Sequence, residues 1–186
     1  GQYIMGKNGV DLEKKISKYL SCKYAVSCNS GTDALVISLR ALGVGKGDEV
    51  ITTPFTYFAT TEAIILVGAK PVFVDIDPRT FNIDERQIEK ALSSKTKAII
   101  PVHIFGQPCK IDTIKKLCSK YKIKLIEDCA QSFGAKLNNK HTGTFGDFGC
   151  LSFFPTKNLG CAGDGGMVVT NSAVNAKKAL MLRNHG

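Results

Sequence analysis

Short apolar runs recur along this chain, each separated from the next by a segment of helical length and periodicity. Ala98-Ile99-Ile100-Pro101-Val102 is apolar at every position, so both faces of such a strand must be covered. Strands of that kind, alternating with helices, form a mostly parallel sheet with helices on both faces. Helices are expected over 11–20, 32–42, 58–67, 84–92, 111–121 and 173–182. In the first, Leu12, Ile16 and Leu20 share one face. Gly43 and Gly68 close the second and third, and Asp84 caps the fourth. Strands are expected over 24–27, 49–53, 71–76, 98–102, 123–126, 150–153 and 167–170, which makes the sheet about seven-stranded. The stretch 134–149, rich in Gly, Asn, Lys and Thr, reads as a hairpin-like excursion.

A chain of 186 residues, 44% hydrophobic, supports one domain with a sizeable core. The longest apolar stretch near a helix, Ala63 to Val67, is too short to span a bilayer. Gly1-Gln2-Tyr3-Ile4 lacks the basic and apolar regions of a leader. The expectation is therefore a cytoplasmic protein without a membrane partner. Seven cysteines, odd in number and without a CxxC pair, read as free, mostly buried thiols rather than a zinc cage or a disulfide framework. The net charge of +9 is concentrated at Lys110, Lys115, Lys116, Lys120, Lys122 and Lys124. No arginine interleaves for base readout, so these lysines read as a solvated helix face and not a nucleic-acid surface. A positive field still favours an anionic small substrate.

In a sheet of this class, ligands collect beyond the carboxyl ends of the strands, and four features fall there. Cys28-Asn29-Ser30-Gly31-Thr32-Asp33 joins a strand to a helix N-terminus, which is either a phosphate cradle or a plain cap. Asp128 ends an apolar strand, where a carboxylate holds a cationic ring nitrogen, caps a helix or sits at the surface. Lys157 lies in a loop between strands, and a partly desolvated lysine loses its proton more readily and attacks carbonyls; most lysines are solvated charges instead. Thr56-Tyr57-Phe58 follows a strand and offers a ring for stacking, or for the core. Gly43-Val44-Gly45-Lys46-Gly47 follows a helix and precedes a strand, the reverse of the dinucleotide-binding order. His103, His141 and His185 are widely spaced, with no partner pattern for a metal or a hydrolytic triad.

Taken together and in order, these features resemble the DegT/StrS-type sugar-nucleotide aminotransferases. The matching stretches are SGTDAL (30–35), GDEVITTPFTYFAT (47–60), GAKPVFVDID (68–77), TKAIIPVHIFGQ (96–107), IEDCAQSFGA (126–135), GCLSFFPTKNLG (149–160), GDGGMVVT (163–170) and LRNHG (182–186). The resemblance implies the large domain of a fold-type I enzyme dependent on pyridoxal 5'-phosphate, over residues 1–186. A short N-terminal segment and a smaller C-terminal domain would lie outside this chain. It further implies Lys157 as the Schiff-base lysine and proton shuttle, Asp128 on the pyridine nitrogen, Gln131 on the ring or its hydroxyl side, and Tyr57 stacked on the ring. Gly31, Thr32, Asp33 and Ser152 are implied at the phosphate; His185 lies in a motif near the site, with no role assigned. The implied reaction moves an amino group, with glutamate as donor, to a nucleotide-diphospho keto-sugar in a homodimer. The PTKNLG…GDGG wording resembles the 3-keto branch more than the 4-keto branch. The alternatives are a dehydratase-type enzyme, whose relatives carry histidine in place of the lysine, and a non-catalytic regulatory module.

Overall fold

The computed structural model describes residues 6–185; Gly1–Ile4, read above for a leader, and Gly186 of the LRNHG motif lie outside them. The chain runs through helix α1 (Lys7–Leu20), strand β1 (Tyr24–Cys28), α2 (Gly31–Ala41), β2 (Glu49–Thr52), α3 (Ala59–Leu66) and β3 (Lys70–Phe73). It continues through α4 (Glu85–Ile88), β4 (Thr96–Ile99), α5 (Ile111–Tyr121), β5 (Lys124–Asp128), β6 (Lys136–Leu137), β7 (Lys140–His141), β8 (Phe148–Ser152), β9 (Gly166–Thr170) and α6 (Ala173–Arg183). Seven strands form one sheet in the order β1-β9-β8-β5-β4-β2-β3, and β6 and β7 form the small hairpin of the 134–149 excursion. The sheet is mostly parallel. Strand β9 is the exception, antiparallel to both β1 and β8.

Alternation along each strand sends successive side chains to opposite faces. Val50, Ala98, Ile100, Ile126, Phe148 and Val168 point into one apolar layer with Ala34 and Leu35 of α2, Ala63 and Ile64 of α3, and Ala179 of α6. Ile51, Ile99 and Leu125 point the other way, against Ile88 of α4 and Ile111, Ile114 and Cys118 of α5. Leu151, Met167 and Val169 extend that second face beneath Ile16 and Leu20 of α1. Each fully buried large side chain contributes roughly 1.5–3 kcal/mol, and together these layers hold the helices onto the sheet.

Several boundaries differ from expectation. Helix α1 starts at Lys7, four residues early, and Leu12 on its expected stripe is 37% exposed. The apolar run 98–102 is strand only to Ile99, because Pro101 has no N–H for the ladder. Beyond it, Val102 still bridges Asp128. The helix expected over 84–92 is a single α-turn, capped by Asp84, that tightens into a 3-10 turn at Glu89–Ala91. Among the described residues, no helix is long and apolar enough to cross a membrane.

The cysteines are free, four of them buried and Cys161 exposed. Burial pushes the thiols of Cys28 and Cys118 up to about 12, and those of Cys129 and Cys150 well above the ordinary value. Because the thiolate is the reactive form, a maleimide at neutral pH should label Cys161 first, the four buried cysteines following only on unfolding. Peptide mapping by mass spectrometry checks this; labelling of Cys118 as fast as Cys161 would mean that α5 does not pack as described.

Candidate active site

At the carboxyl ends of the central strands lies a cavity of about 420 Å³, bordered by Gly31, Thr32, Tyr57, Asp128, Gln131, Ser152 and Lys157 among others. The sheet order explains the gathering. Strands β5 and β8 are parallel neighbours, so Asp128 and Ser152 end at the same edge. Helix α2 packs over β8 and β9, which brings its N-terminus to the same place.

That N-terminus is built for an anion. Ser30 is the cap: its Oγ accepts from the Asp33 amide at 3.0 Å and its carbonyl from the Ala34 amide at 3.1 Å. The amides of Gly31 and Thr32 are then left without a partner among the described residues, at the positive end of the helix dipole. Gly31 has no substitute here, because a Cβ would stand 2.7 Å from Ser152 Cβ. Asp33, grouped with these residues in the sequence, does not border the cavity, and its amide is the one that Ser30 already holds.

Asp128 is 5% exposed. Oδ1 accepts from Ala130 N–H at 3.1 Å and Oδ2 from the Thr60 hydroxyl at 2.9 Å. Burial pushes its carboxyl above the ordinary value, against the pull of those two donors and of the Lys157 charge. A buried carboxylate facing a cavity without a full countercharge is a seat for a cation.

Lys157 reaches the cavity from the loop between β8 and β9, with Nζ 6.0 Å from the centre of the Tyr57 ring. The loop is closed on itself, Lys157 N–H donating to Phe154 O, Cys161 N–H to Phe153 O and Phe153 N–H to Gly165 O. Tyr57 is 73% exposed, with its ring free to meet a planar group. Gln131 Oε1 accepts from Phe105 N–H at 3.0 Å. Its Nε2 is thereby left to donate elsewhere. Phe105 takes a left-handed conformation, φ 54°, to present that amide.

Two features escaped the sequence reading. Thr60 lies inside the matched block 47–60 but looks there like any helix residue. His103 carries no sequence pattern, yet its Nε2 lies 3.0 Å from Glu127, both side chains fully buried. Cys109 N–H donates to His103 Nδ1 at 3.0 Å, so the ring proton sits on Nε2 and points at Glu127. The amides of Gly143, Phe145 and Gly146 fill the other acceptor positions of Glu127. Cys129 lies close enough for a three-ligand cluster, but the ring nitrogens and the carboxylate oxygens are already bonded. The cluster is a hydrogen-bonded brace behind the strand that ends in Asp128. His185, exposed after α6, does not border the cavity.

The chain resembles known proteins over nearly all of its length. The family model described as the DegT/DnrJ/EryC1/StrS aminotransferase family matches residues 1–186. A UDP-N-acetyl-3-dehydro-alpha-D-glucosamine 3-aminotransferase of Acidithiobacillus ferrooxidans is 51% identical over 184 residues, 99% of this chain and 50% of that protein. A UDP-2-acetamido-2-deoxy-3-oxo-D-glucuronate aminotransferase of Pseudomonas aeruginosa is 50% identical over 186 residues, 100% of this chain and 52% of that protein. The crystal structure of NtdA from Bacillus subtilis with bound cofactor PMP superposes with TM-score 0.89 at 39% identity, covering 95% of this chain and 40% of that one. The chain thus spans about half the length of the curated relatives it matches.

Proposed function

We propose, given that the chain belongs to the DegT/DnrJ/EryC1/StrS aminotransferase family, that it forms the pyridoxal-phosphate-binding large domain, residues 1–186, of an enzyme moving an amino group from glutamate to a nucleotide-linked 3-keto sugar. The single observation that carries the reading is one cavity holding an amine, a buried carboxylate and an unfilled helix N-terminus. Those three groups match the aldehyde, ring nitrogen and phosphate of the cofactor. Gly31 and Thr32, with Ser152, would hold the phosphate. Asp128 would hold a proton on the pyridine nitrogen, its burial being relieved by the cation it meets. Gln131 Nε2 would donate to a ring oxygen, and Tyr57 would cover a ring face. Asp33 would serve the phosphate only through its cap with Ser30.

When bound, pyridoxal phosphate supplies an electron sink for the pair left on a substrate carbon. Lys157 Nζ, the only amine bordering the cavity among the described residues, takes the proton from the donor carbon and returns one to the acceptor carbon. The phosphate cradle and Gln131 hold the reacting plane still while this happens, which is where positioning contributes to rate.

The two UDP-sugar relatives carry 3-dehydro and 3-oxo in their names, which favours a 3-keto substrate. The presence of Lys157 disfavours the dehydratase alternative; the regulatory module is the second reading, since a relative of Geobacillus stearothermophilus, 51% identical over 185 residues, is named a pleiotropic regulatory protein. Tyr57 and Phe154 border the cavity and are exposed, as are Phe58 next to Tyr57 and the contacting pair Phe55 and Phe105; exposed aromatic surface is of the kind a second copy covers in a homodimer. With full-length protein and glutamate, matched 3-keto and 4-keto nucleotide sugars should give an amine at C3, located by NMR. Amination at C4 would overturn the regiochemistry, and a deoxy sugar would overturn amino transfer itself.

A further inference from the structure

Thr60 stands in the first turn of α3, 1% exposed, and borders the cavity. Its Oγ1 is 2.9 Å from Asp128 Oδ2, 3.0 Å from Thr56 Oγ1 and 3.4 Å from the Tyr57 carbonyl. A hydroxyl has one proton to give. The carboxylate only accepts, is nearest and is the charged partner, so the Thr60 proton goes to Asp128. Thr56 must then donate to Thr60, which makes a one-way chain from Thr56 through Thr60 to Asp128. Ala130 N–H holds the other carboxylate oxygen, so Asp128 is gripped from α3 on one side and from the turn after β5 on the other.

We propose that Thr60 is a positioning residue, which aims the Asp128 carboxylate into the cavity, keeps it an acceptor, and ties it through Thr56 to the segment that carries Tyr57. Its value to catalysis rests on the reading of the cavity as a cofactor site; its hold on Asp128 does not. Thr60 is also one of the donors that counter the upward push of burial on that carboxyl. Among the described residues, the Ala130 amide would be the one hydrogen bond left to the carboxylate without Thr60.

The test compares Thr60→Val, which keeps the shape and removes the hydroxyl, with Thr60→Ser, which restores it. In full-length protein freed of cofactor, carbon NMR follows the Asp128 carboxyl through its titration, with Asp128→Asn identifying the signal. A hydrogen bond to a charged group corresponds to roughly a tenfold to hundredfold change in acid dissociation, about one to two pH units. Thr60→Val should move the midpoint up by that amount, and Thr60→Ser should bring it back. Loaded protein should lose pyridoxal phosphate faster in the valine variant and at the normal rate in the serine variant. An unmoved midpoint in Thr60→Val, or the same shift in both variants, overturns the proposal. A protein that shows the midpoint shift but takes up no pyridoxal phosphate would instead overturn the cofactor reading and leave the Thr60–Asp128 link standing.

Discussion

Lys157→Ala in the full-length protein should lose roughly 10⁴-fold in turnover, the upper end of what one positioned acid–base group contributes. The expectation follows from the cavity wall, where among the described residues no second amine stands ready to take over the proton transfer. Lys157→Arg is the informative companion. Arginine keeps the positive charge beside Tyr57 and Asp128 but does not give up its proton at neutral pH. If Lys157 served only as a countercharge to Asp128, arginine would preserve most of the activity. The account requires it to be nearly as inactive as alanine, and single-turnover rates with the amino donor measure the difference without interference from product release.

Asp128→Asn should reduce turnover by at least ~10²-fold, comparable to the loss of one strong electrostatic contact in an active site. Stability should move differently. Burial lifts the folded carboxyl above its unfolded value, so the charged form destabilises the cofactor-free protein once the pH exceeds the folded value. Below the unfolded value that destabilisation is absent. The cofactor-free asparagine variant should therefore melt no lower than the parent at neutral pH, and any advantage should vanish on acidification. Calorimetry across pH checks the sign. A variant both active and less stable at neutral pH would mean that the carboxylate is a structural cap.

The rule that ligands collect at the strand ends pointed to Gly31, Thr32, Tyr57, Asp128 and Lys157, and the family resemblance added Gln131 and Ser152; all seven border one cavity. The reversal of β9 was not legible: Met167-Val168-Val169 is apolar in either direction, and only the absence of a helix between β8 and β9 hints that no crossover occurs. Asp33 shows the limit of a local motif. A helix N-terminus has several free amides, and which of them the cap uses depends on the Ser30 rotamer. Thr60 and the His103–Glu127 brace depend on contacts across 68 and 24 residues, where neither partner marks the other in sequence. The left-handed Phe105 was equally hidden, since no residue beside it marks that conformation and its amide bonds to Gln131, 26 residues on.

The central claim is that Lys157 is the amine to which the cofactor attaches in this cavity. Full-length protein loaded with pyridoxal phosphate should be yellow, and borohydride should fix the cofactor to it irreversibly. Digestion and mass spectrometry should then find the added mass on the peptide containing Lys157, and lose it in Lys157→Ala. Stoichiometric label on any other lysine, with Lys157 unmodified, would contradict the account.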